Sequence, residues 1–429
     1  MKNRIFVSLI SVLLCSAVLF MSSCDADLGI STDEQTDASV PKSGIAGIGA
    51  ATGAYNGLFD SIAEIRLTVG EAEFATVLDH ADSGMYCECD AEINGVPVSD
   101  IGIKARGNTA YVTEYGNGRY SLKLKFNKYM KGQKYNGLDE LDLNNVSYDP
   151  SYIREYLAYA LFSLSSGSPA PLCTFAKLYI NGEYYGLYTA VESVDSSFLK
   201  RVFGDNDGDL YEAGKASAFI TDDTSTFELK KGSDTSLAGI VSLYNALGTE
   251  GIEDVLDVGS VLRYTAITSL ICATESYIGP KAENYYLYRA ADGKFRIIPS
   301  DMKISFGTDG ELKKSEYDID ESLTGTSVTE PYFTGSAADR PLISSLLEND
   351  EYKALYLTYV KYYNDALSSA LSSLSELKAE IDQSVNDDPR RFFDIVSYDA
   401  EYTDKDNTLY GFIKSRCEEV SSQLMTTGE

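Results

Sequence analysis

The chain has 429 residues and carries 65 acidic against 36 basic side chains, a net charge of −29. Such an acidic protein repels phosphate backbones and anionic lipid headgroups, which argues against nucleic acid or an anionic membrane surface as partners. His80 is the single histidine, so zinc sites built from several histidines are excluded. A Ser-His-Asp or Cys-His mechanism would depend on that one side chain, and nothing around it indicates an activated pair.

The N-terminus has the pattern of a secretory signal. Basic Lys2 and Arg4 precede an apolar run from Ile5 to Met21, which ends at Ser22-Ser23-Cys24. Small residues before a cysteine resemble the bacterial lipobox, so we predict that residues 1–23 are a lipoprotein signal peptide and that Cys24 is lipidated. The alternative is a transmembrane anchor, because roughly 17 apolar residues approach the shortest membrane span. The first interpretation predicts an extracytoplasmic protein held to the cell membrane by lipid alone.

Composition then divides the rest of the chain into three parts. Residues 24–57 are rich in Asp, Ser, Thr, Gly and Ala without periodicity, which predicts a flexible tether. Residues 58–310 mix strand and helix patterns, and residues 311–429 are mostly helical, so we expect an α+β core with a helical C-terminal part.

Five cysteines remain once Cys15 leaves with the signal and Cys24 is set aside for lipid. An odd number without paired spacing does not predict a disulfide framework. Cys87 and Cys89 alternate on one predicted strand face. We expect them in the core, with a strained or reactive pair as the alternative.

Several elements follow from periodicity and turn chemistry. In the strand over 120–126, alternation places Leu122 and Leu124 on one face and Lys123 and Lys125 on the other. The other predicted elements are a strand over 101–106, a helix that begins at Asp149-Pro150 with Asp149 as N-cap, a hairpin over 175–191 that turns at Asn181-Gly182, and a helix over 409–424.

Residues 284–307 predict a second hairpin with a turn at Asp292-Gly293. If those two residues form the centre of the turn, Asn284 and Asp301 lie opposite each other at its open end. Paired Cα atoms are roughly 4.5–5.5 Å apart, so both side chains could hold one Mg²⁺, as an Asn and an Asp do in protein kinases. The alternative is a polar pair that caps the hairpin, and a shift of one residue would break the argument.

The chain resembles the CotH family, the spore-coat protein H kinases, from about residue 60 to the C-terminus. The segments that carry this resemblance are IKARGN (103–108), LKLKF (122–126), IRE (153–155), LAY (157–159), LYINGEYYGLY (178–188), VE (191–192), FGD (203–205), NYYLY (284–288), and IP (298–299) with Asp301. Their order and spacing imply an atypical kinase-like fold that binds ATP with Mg²⁺ and presents it to a hydroxyl of a protein substrate.

Position by position, the resemblance implies that Asp301 and Asn284 bind the metal. It implies that Glu275 stands at the position of the catalytic aspartate. The cofactor-binding residues that it implies are Lys123 and Lys125, which would pair with phosphates, Arg106, which would add to that cradle, and Glu192, which would orient a lysine.

Three departures from the family pattern leave the activity open. Glu275 replaces an aspartate, a longer spacer over 278–283 precedes Asn284, and Lys303 stands where the family has a second carboxylate. By alternation Lys303 points to the same side as Asp301, which puts two-metal chemistry in doubt. The sequence thus favours an extracytoplasmic kinase-like lipoprotein that acts on a surface or coat protein. The alternatives are a non-catalytic binding relative and a structural surface lipoprotein.

Overall fold

The computed structural model describes residues 53–107, 112, 116–165, 167–308, 319–333 and 335–426. Cys24, the predicted signal peptide and most of the predicted tether lie outside these residues. The end of the predicted tether belongs to the folded body, since Tyr55 is 8% exposed and its hydroxyl donates to Glu192 Oε1 at 2.5 Å. The predicted boundary at residue 57 is therefore a few residues too late.

Seven strands form a closed barrel in the order β1-β2-β3-β4-β5-β7-β6. Parallel pairing of β1 with β6 closes the barrel, and the other neighbours are antiparallel. Alternating apolar side chains fill the interior. They include Cys87 and Cys89, which are buried as predicted and are free thiols. The strands are β1 (Ala63–Val69), β2 (Cys87–Ile93), β3 (Val96–Arg106), β4 (Ser121–Lys125), β5 (Glu140–Asn144), β6 (Cys173–Ile180) and β7 (Glu183–Glu192).

A second, four-stranded sheet has the order β11-β10-β8-β9. One face of this sheet packs on helices in a core that is separate from the barrel interior. Its strands are β8 (Asp209–Ala213), β9 (Phe227–Lys231), β10 (Tyr285–Arg289) and β11 (Phe295–Pro299).

The helices connect the two sheets and then make up the C-terminal part. The last strand in the described residues ends at Pro299, so the α+β class and the helical character of the C-terminal part agree with the sequence prediction. Among the described helices, none combines the length and hydropathy that a membrane span requires. They are α1 (Glu71–Asp79), α2 (Arg154–Ser163), α3 (Ser196–Phe203), α4 (Ala238–Ala246), α5 (Ile252–Val255), α6 (Val258–Leu270), α7 (Pro341–Leu347), α8 (Asp350–Ala370), α9 (Leu374–Asn386), α10 (Ile395–Ala400) and α11 (Leu409–Thr426).

The two predicted hairpins fare differently. Asn181-Gly182 joins β6 to β7, and both residues have positive φ, as a tight hairpin turn requires. The predicted register of the β10–β11 hairpin is wrong by one residue. Tyr285 pairs with Pro299, and the Asn284 carbonyl accepts from Ser300 N at 3.1 Å. Asn284 therefore lies opposite Ser300 and not opposite Asp301.

The predicted start of the helix at Pro150 is also wrong. Helix α2 begins at Arg154, and Asp149 precedes it in a turn. The Asp149 carboxylate accepts from Ser151 N at 2.9 Å and from Arg154 N at 2.8 Å, so it caps the helix from five residues away. Every residue from Arg154 to Phe162 is buried, so α2 lies inside the protein and has no solvent face.

Buried ion pairs join the C-terminal helices to the barrel side of the molecule. Arg119, fully buried, donates through Nη1 to Asp388 and through Nε to the Asn145 carbonyl at 2.8 Å. Gly186 makes room for this pair, because a Cβ there would lie 2.6–2.7 Å from the Arg119 and Asp388 side chains. Arg154 Nη2 donates to Glu401 Oε2 at 2.8 Å, which fixes the first turn of α2 to the C-terminal part.

Candidate functional site

A cavity of about 610 Å³ lies between the barrel and the second sheet. Strands β3, β4 and β5 form one side, and β8, β9 and β10 contribute to the other. The first turn of α2 and the segment between β7 and α3 line the space between these sides. The cavity therefore collects side chains from parts of the chain that are distant in sequence.

The barrel side of the cavity is a surface that we call the basic wall. Alternation turns every second residue of its strands towards the cavity. On β3, β4 and β5 four cations and two carboxylates face the cavity, a net charge of +2, although the whole cavity lining contains six cations and eight carboxylates. The members of the basic wall are Lys104 and Arg106 on β3, Lys123 and Lys125 on β4, and Glu140 and Asp142 on β5.

Ion pairs organise the basic wall. Lys123 Nζ lies 2.9 Å from Glu140 Oε2 and 3.4 Å from Asp142 Oδ1. Lys125 also binds Glu140, and Arg106 binds Asp142. Burial acts to lower the pKa of Lys123, but the charges of Asp142 and Glu140 outweigh it and raise that pKa. Lys123, Lys125 and Arg106 thus line one part of the cavity, and each is held by a carboxylate.

Asp301 lines the cavity and binds Lys303, whose Nζ donates to Asp301 Oδ2 at 2.8 Å. Burial acts to raise the pKa of Asp301, yet the charges of Lys303 and Arg106 lower it overall. Asp301 also has a positive φ of 53°, a conformation that a non-glycine residue seldom adopts outside turns and functional sites. Lys303 therefore neutralises Asp301.

Glu155, on the first turn of α2, was not among the predicted site residues. Its carboxylate accepts from Asn144 Nδ2 at 2.8 and 2.9 Å and is 4% exposed. Burial, followed by the charge of Asp301, raises the pKa of Glu155 to about 7. The cavity therefore places a second carboxyl group within electrostatic range of Asp301.

Changing Glu155 to glutamine should stabilise the protein at pH 8 by up to about 3 kcal/mol and have little effect at pH 4.5. The folded state holds the Glu155 proton up to about pH 7 and the unfolded state only to about pH 4.5, so the wild type loses stability as pH rises through this window. Urea unfolding of both proteins at the two pH values measures the difference. Glu228→Gln, at an exposed position, is the control, and an equal gain at both pH values would contradict the assignment.

Glu192 lines the cavity but does not orient a lysine. Its carboxylate binds Arg201 Nε at 2.9 and 3.1 Å, the Tyr55 hydroxyl, and Leu172 N at 3.0 Å. Lys123 pairs with Glu140 and Asp142 instead, and Lys125 pairs with Glu140. This predicted role is therefore wrong. Glu192, the last residue of β7, instead joins β7 to α3 through Arg201.

Glu275 and Asn284 do not line the cavity. Glu275 Oε1 lies 2.7 Å from Lys281 Nζ in the loop between α6 and β10, and the Glu283 carboxylate lies 3.9 Å from the same Nζ. Burial, Glu275 and, more weakly, Asp301 raise the pKa of Glu283, so this loop lies within electrostatic range of the cavity. Asn284 has a positive φ of 58° beside Ser300.

The residues around Asp301 fit one Mg²⁺ that arrives with nucleotide phosphates. Mg²⁺ keeps several waters and takes one or two carboxylates from the protein. The described residues contain no group of three or more His, Cys, Asp or Glu side chains suited to hold a metal by themselves. Since Lys303 occupies Asp301 Oδ2, the residues do not fit a second metal.

The fold and the cavity define an α+β protein in which a basic wall and the Asp301 carboxylate line one cavity. The family model described as CotH kinase protein matches residues 103–420, well over half of the chain, and the chain belongs to the CotH family. The inner spore coat protein H of Bacillus subtilis (strain 168) is 28% identical over 249 residues. That match covers 51% of this chain and 62% of the relative, which is less than two thirds of its length.

Proposed function

We propose that this protein is an extracytoplasmic, kinase-like lipoprotein that binds ATP with Mg²⁺ and transfers the γ-phosphoryl group to Ser or Thr of a surface or coat protein. The observation that carries the proposal is that the four cations of the basic wall line the same cavity as Asp301. Membership of the CotH family and similarity to a spore coat protein add support.

In this proposal the wall residues act through position and charge. Arg106 and Lys123 orient the phosphate chain. Before the nucleotide binds, Asp142 holds Arg106 in place and Glu140 holds Lys123 in place. When bound, Mg²⁺ on Asp301 would neutralise charge on the β- and γ-phosphates. Glu275 accepts the proton of the substrate hydroxyl, and Lys281 fixes the direction of its carboxylate.

A second candidate function is nucleotide or protein binding without catalysis. It is favoured by Lys303, which neutralises Asp301, and by Glu275, which is bound to Lys281 and does not line the cavity. Under this alternative the wild type binds ATP but transfers no phosphoryl group. A purely structural surface lipoprotein would bind no ATP.

Changing Asp301 to asparagine should weaken Mg²⁺-dependent ATP binding at least about tenfold, or about 1.4 kcal/mol, because the carboxylate that accompanies the metal is lost. Calorimetry on the purified full-length chain with ATP and Mg²⁺ measures this. Lys123→Ala and Lys125→Ala should weaken binding as well. Asp222→Asn, on an exposed loop, should leave it unchanged. Equal ATP affinity in the Asp301 variant would remove this site from the proposal.

The proposed location rests on the sequence pattern that ends at Cys24. Cys24→Ala should abolish both lipidation and processing of the signal, because the thiol is the group that is acylated. Metabolic labelling with a fatty-acid probe in a bacterial host tests this. Cys15→Ala, within the predicted signal, is the matched control and should leave the mature protein labelled. A wild type that takes up no label would refute the anchor.

A further inference from the structure

We propose that Lys104 contacts the phosphate chain of a nucleotide bound in the cavity. No motif, family position or relative assigns this role, and the proposal rests on the nucleotide binding put forward above. Lys104 lines the cavity on β3, two residues before Arg106 and therefore on the same face of the strand.

The ion pairs of the basic wall distinguish Lys104 from its neighbours. Arg106, Lys123 and Lys125 each have a carboxylate within 4 Å. Within the part of the chain that the structure describes, Lys104 has no such carboxylate. Its Nζ instead lies 5.1 Å from the centre of the Tyr86 ring, a contact that attracts a cation weakly. Lys104 therefore carries half of the wall's net charge of +2, and the other half is shared by three cations that have two carboxylates.

The strand register adds to this imbalance. Lys104 is paired directly with Lys123 across β3 and β4. Like charges at directly opposed positions of a sheet destabilise it. Burial, followed by the charge of Lys123, lowers the pKa of Lys104. An anion between the two ammonium groups would relieve both effects.

The same ion pairs determine which cation gains most from a phosphate. Lys123 and Lys125 must loosen their contacts with Glu140 before they can turn to a ligand. Lys104 has no carboxylate to leave, so it keeps the whole of a charge-assisted hydrogen bond. Lys104 is thus placed to gain more on phosphate binding than Lys125 does.

Lys104→Gln tests this inference, with Lys128→Gln as its matched control. Lys128 Nζ lies 4.6 Å from the same Tyr86 ring but does not line the cavity. Calorimetry on the full-length chain should show the ATP–Mg²⁺ dissociation constant raised about tenfold or more by Lys104→Gln and changed less than about twofold by Lys128→Gln. Inorganic tripolyphosphate, which has no base or sugar, should show the same difference.

The thermal stability of the Lys104→Gln variant distinguishes a ligand contact of Lys104 from a structural role. Removal of Lys104 ends its repulsion with Lys123, so the unfolding temperature of the ligand-free variant should equal that of the wild type within about 2 °C or exceed it. A larger fall in unfolding temperature, or unchanged ATP affinity, would overturn the inference. If the wild type binds tripolyphosphate through Lys104 but does not bind ATP, the anion contact of Lys104 is supported and the proposed nucleotide function is refuted. A wild type that binds neither would refute both.

Discussion

Replacing Glu275 with glutamine should slow phosphoryl transfer by roughly 10²–10⁴-fold and leave ATP affinity unchanged. Glutamine keeps the shape of the side chain but cannot accept the proton of a substrate hydroxyl. Glutamate is one methylene longer than the family's aspartate, and such a base must be placed to within about an ångström. The spacer after Glu275 folds back in successive turns, because Gly279 packs against the Thr274 backbone and Lys281 returns to bind Glu275. The proposed role of Glu275 requires this compact loop to compensate for the longer side chain.

Transfer from labelled ATP to the protein itself and to a basic peptide rich in Ser and Lys measures the effect. Glu283→Gln is the matched control, since it removes the same charge from the same loop and its carboxylate lies 3.9 Å from the same lysine. Robust wild-type transfer that survives Glu275→Gln would exclude Glu275 as the base. Loss of transfer in Glu283→Gln alone would assign the base to Glu283. A wild type that binds ATP without transfer would favour the non-catalytic function.

The second large effect concerns stability. Changing Asp388 to asparagine should lower the free energy of unfolding by about 3–5 kcal/mol. The new side chain has nearly the same shape, but it leaves the guanidinium of Arg119 buried without a counter-charge. Among the described residues, the other contacts of this guanidinium are uncharged: the carbonyl oxygens of Asn145 and Leu187 and the rings of Tyr188, Tyr152 and Phe392. Urea unfolding followed by circular dichroism measures the change.

Asp365→Asn provides the control, because Asp365 forms an exposed ion pair with Lys361 at 2.9 Å. Loss of such a pair should lower the free energy of unfolding by less than about 1 kcal/mol. The double variant Arg119→Met/Asp388→Leu should recover much of the loss, since it removes both buried charges together. If Asp388→Asn is no more harmful than Asp365→Asn, the buried pair does not hold the C-terminal part in place.

Local chemistry carried the successful predictions. Alternation in β4 placed Lys123 and Lys125 opposite the apolar core, and Asn181-Gly182 specified its turn directly. The prediction of the β10–β11 register assumed a two-residue turn. In the structure Ala290 N donates to the Lys294 carbonyl at 3.1 Å and Gly293 has φ +82°, which gives a three-residue turn with a bulge. An Asp-Gly pair suits either turn, so the sequence could not fix the register.

The site residues that sequence reasoning missed are positioned by contacts between segments that are distant in sequence. Glu140 and Asp142 face the cavity because β5 pairs with β4, and a single sequence does not specify which strands pair. Asp142 alternates with buried Leu141 and Leu143, and this alternation was the available signal for its strand face. Sequence analysis missed Glu155 because α2 is buried on all sides. The helix therefore has no polar stripe that would indicate which face turns to the cavity.

The buried arginines also set an order for folding. Arg119 meets Asp388 across 269 residues of sequence, and Arg154 meets Glu401 across 247. In a chain made from its N-terminus, Arg119 therefore emerges well before Asp388. Arg154 can pair at once with Asp149, at 2.6 Å in the folded protein, but it also emerges well before Glu401. Glu155, which lines the cavity, follows Arg154 in the first turn of α2. This part of the cavity is therefore fixed to the C-terminal part only after Glu401 has been made. In the proposed function, nucleotide binding would therefore require that the C-terminal part has already been made and has folded against the barrel side of the molecule.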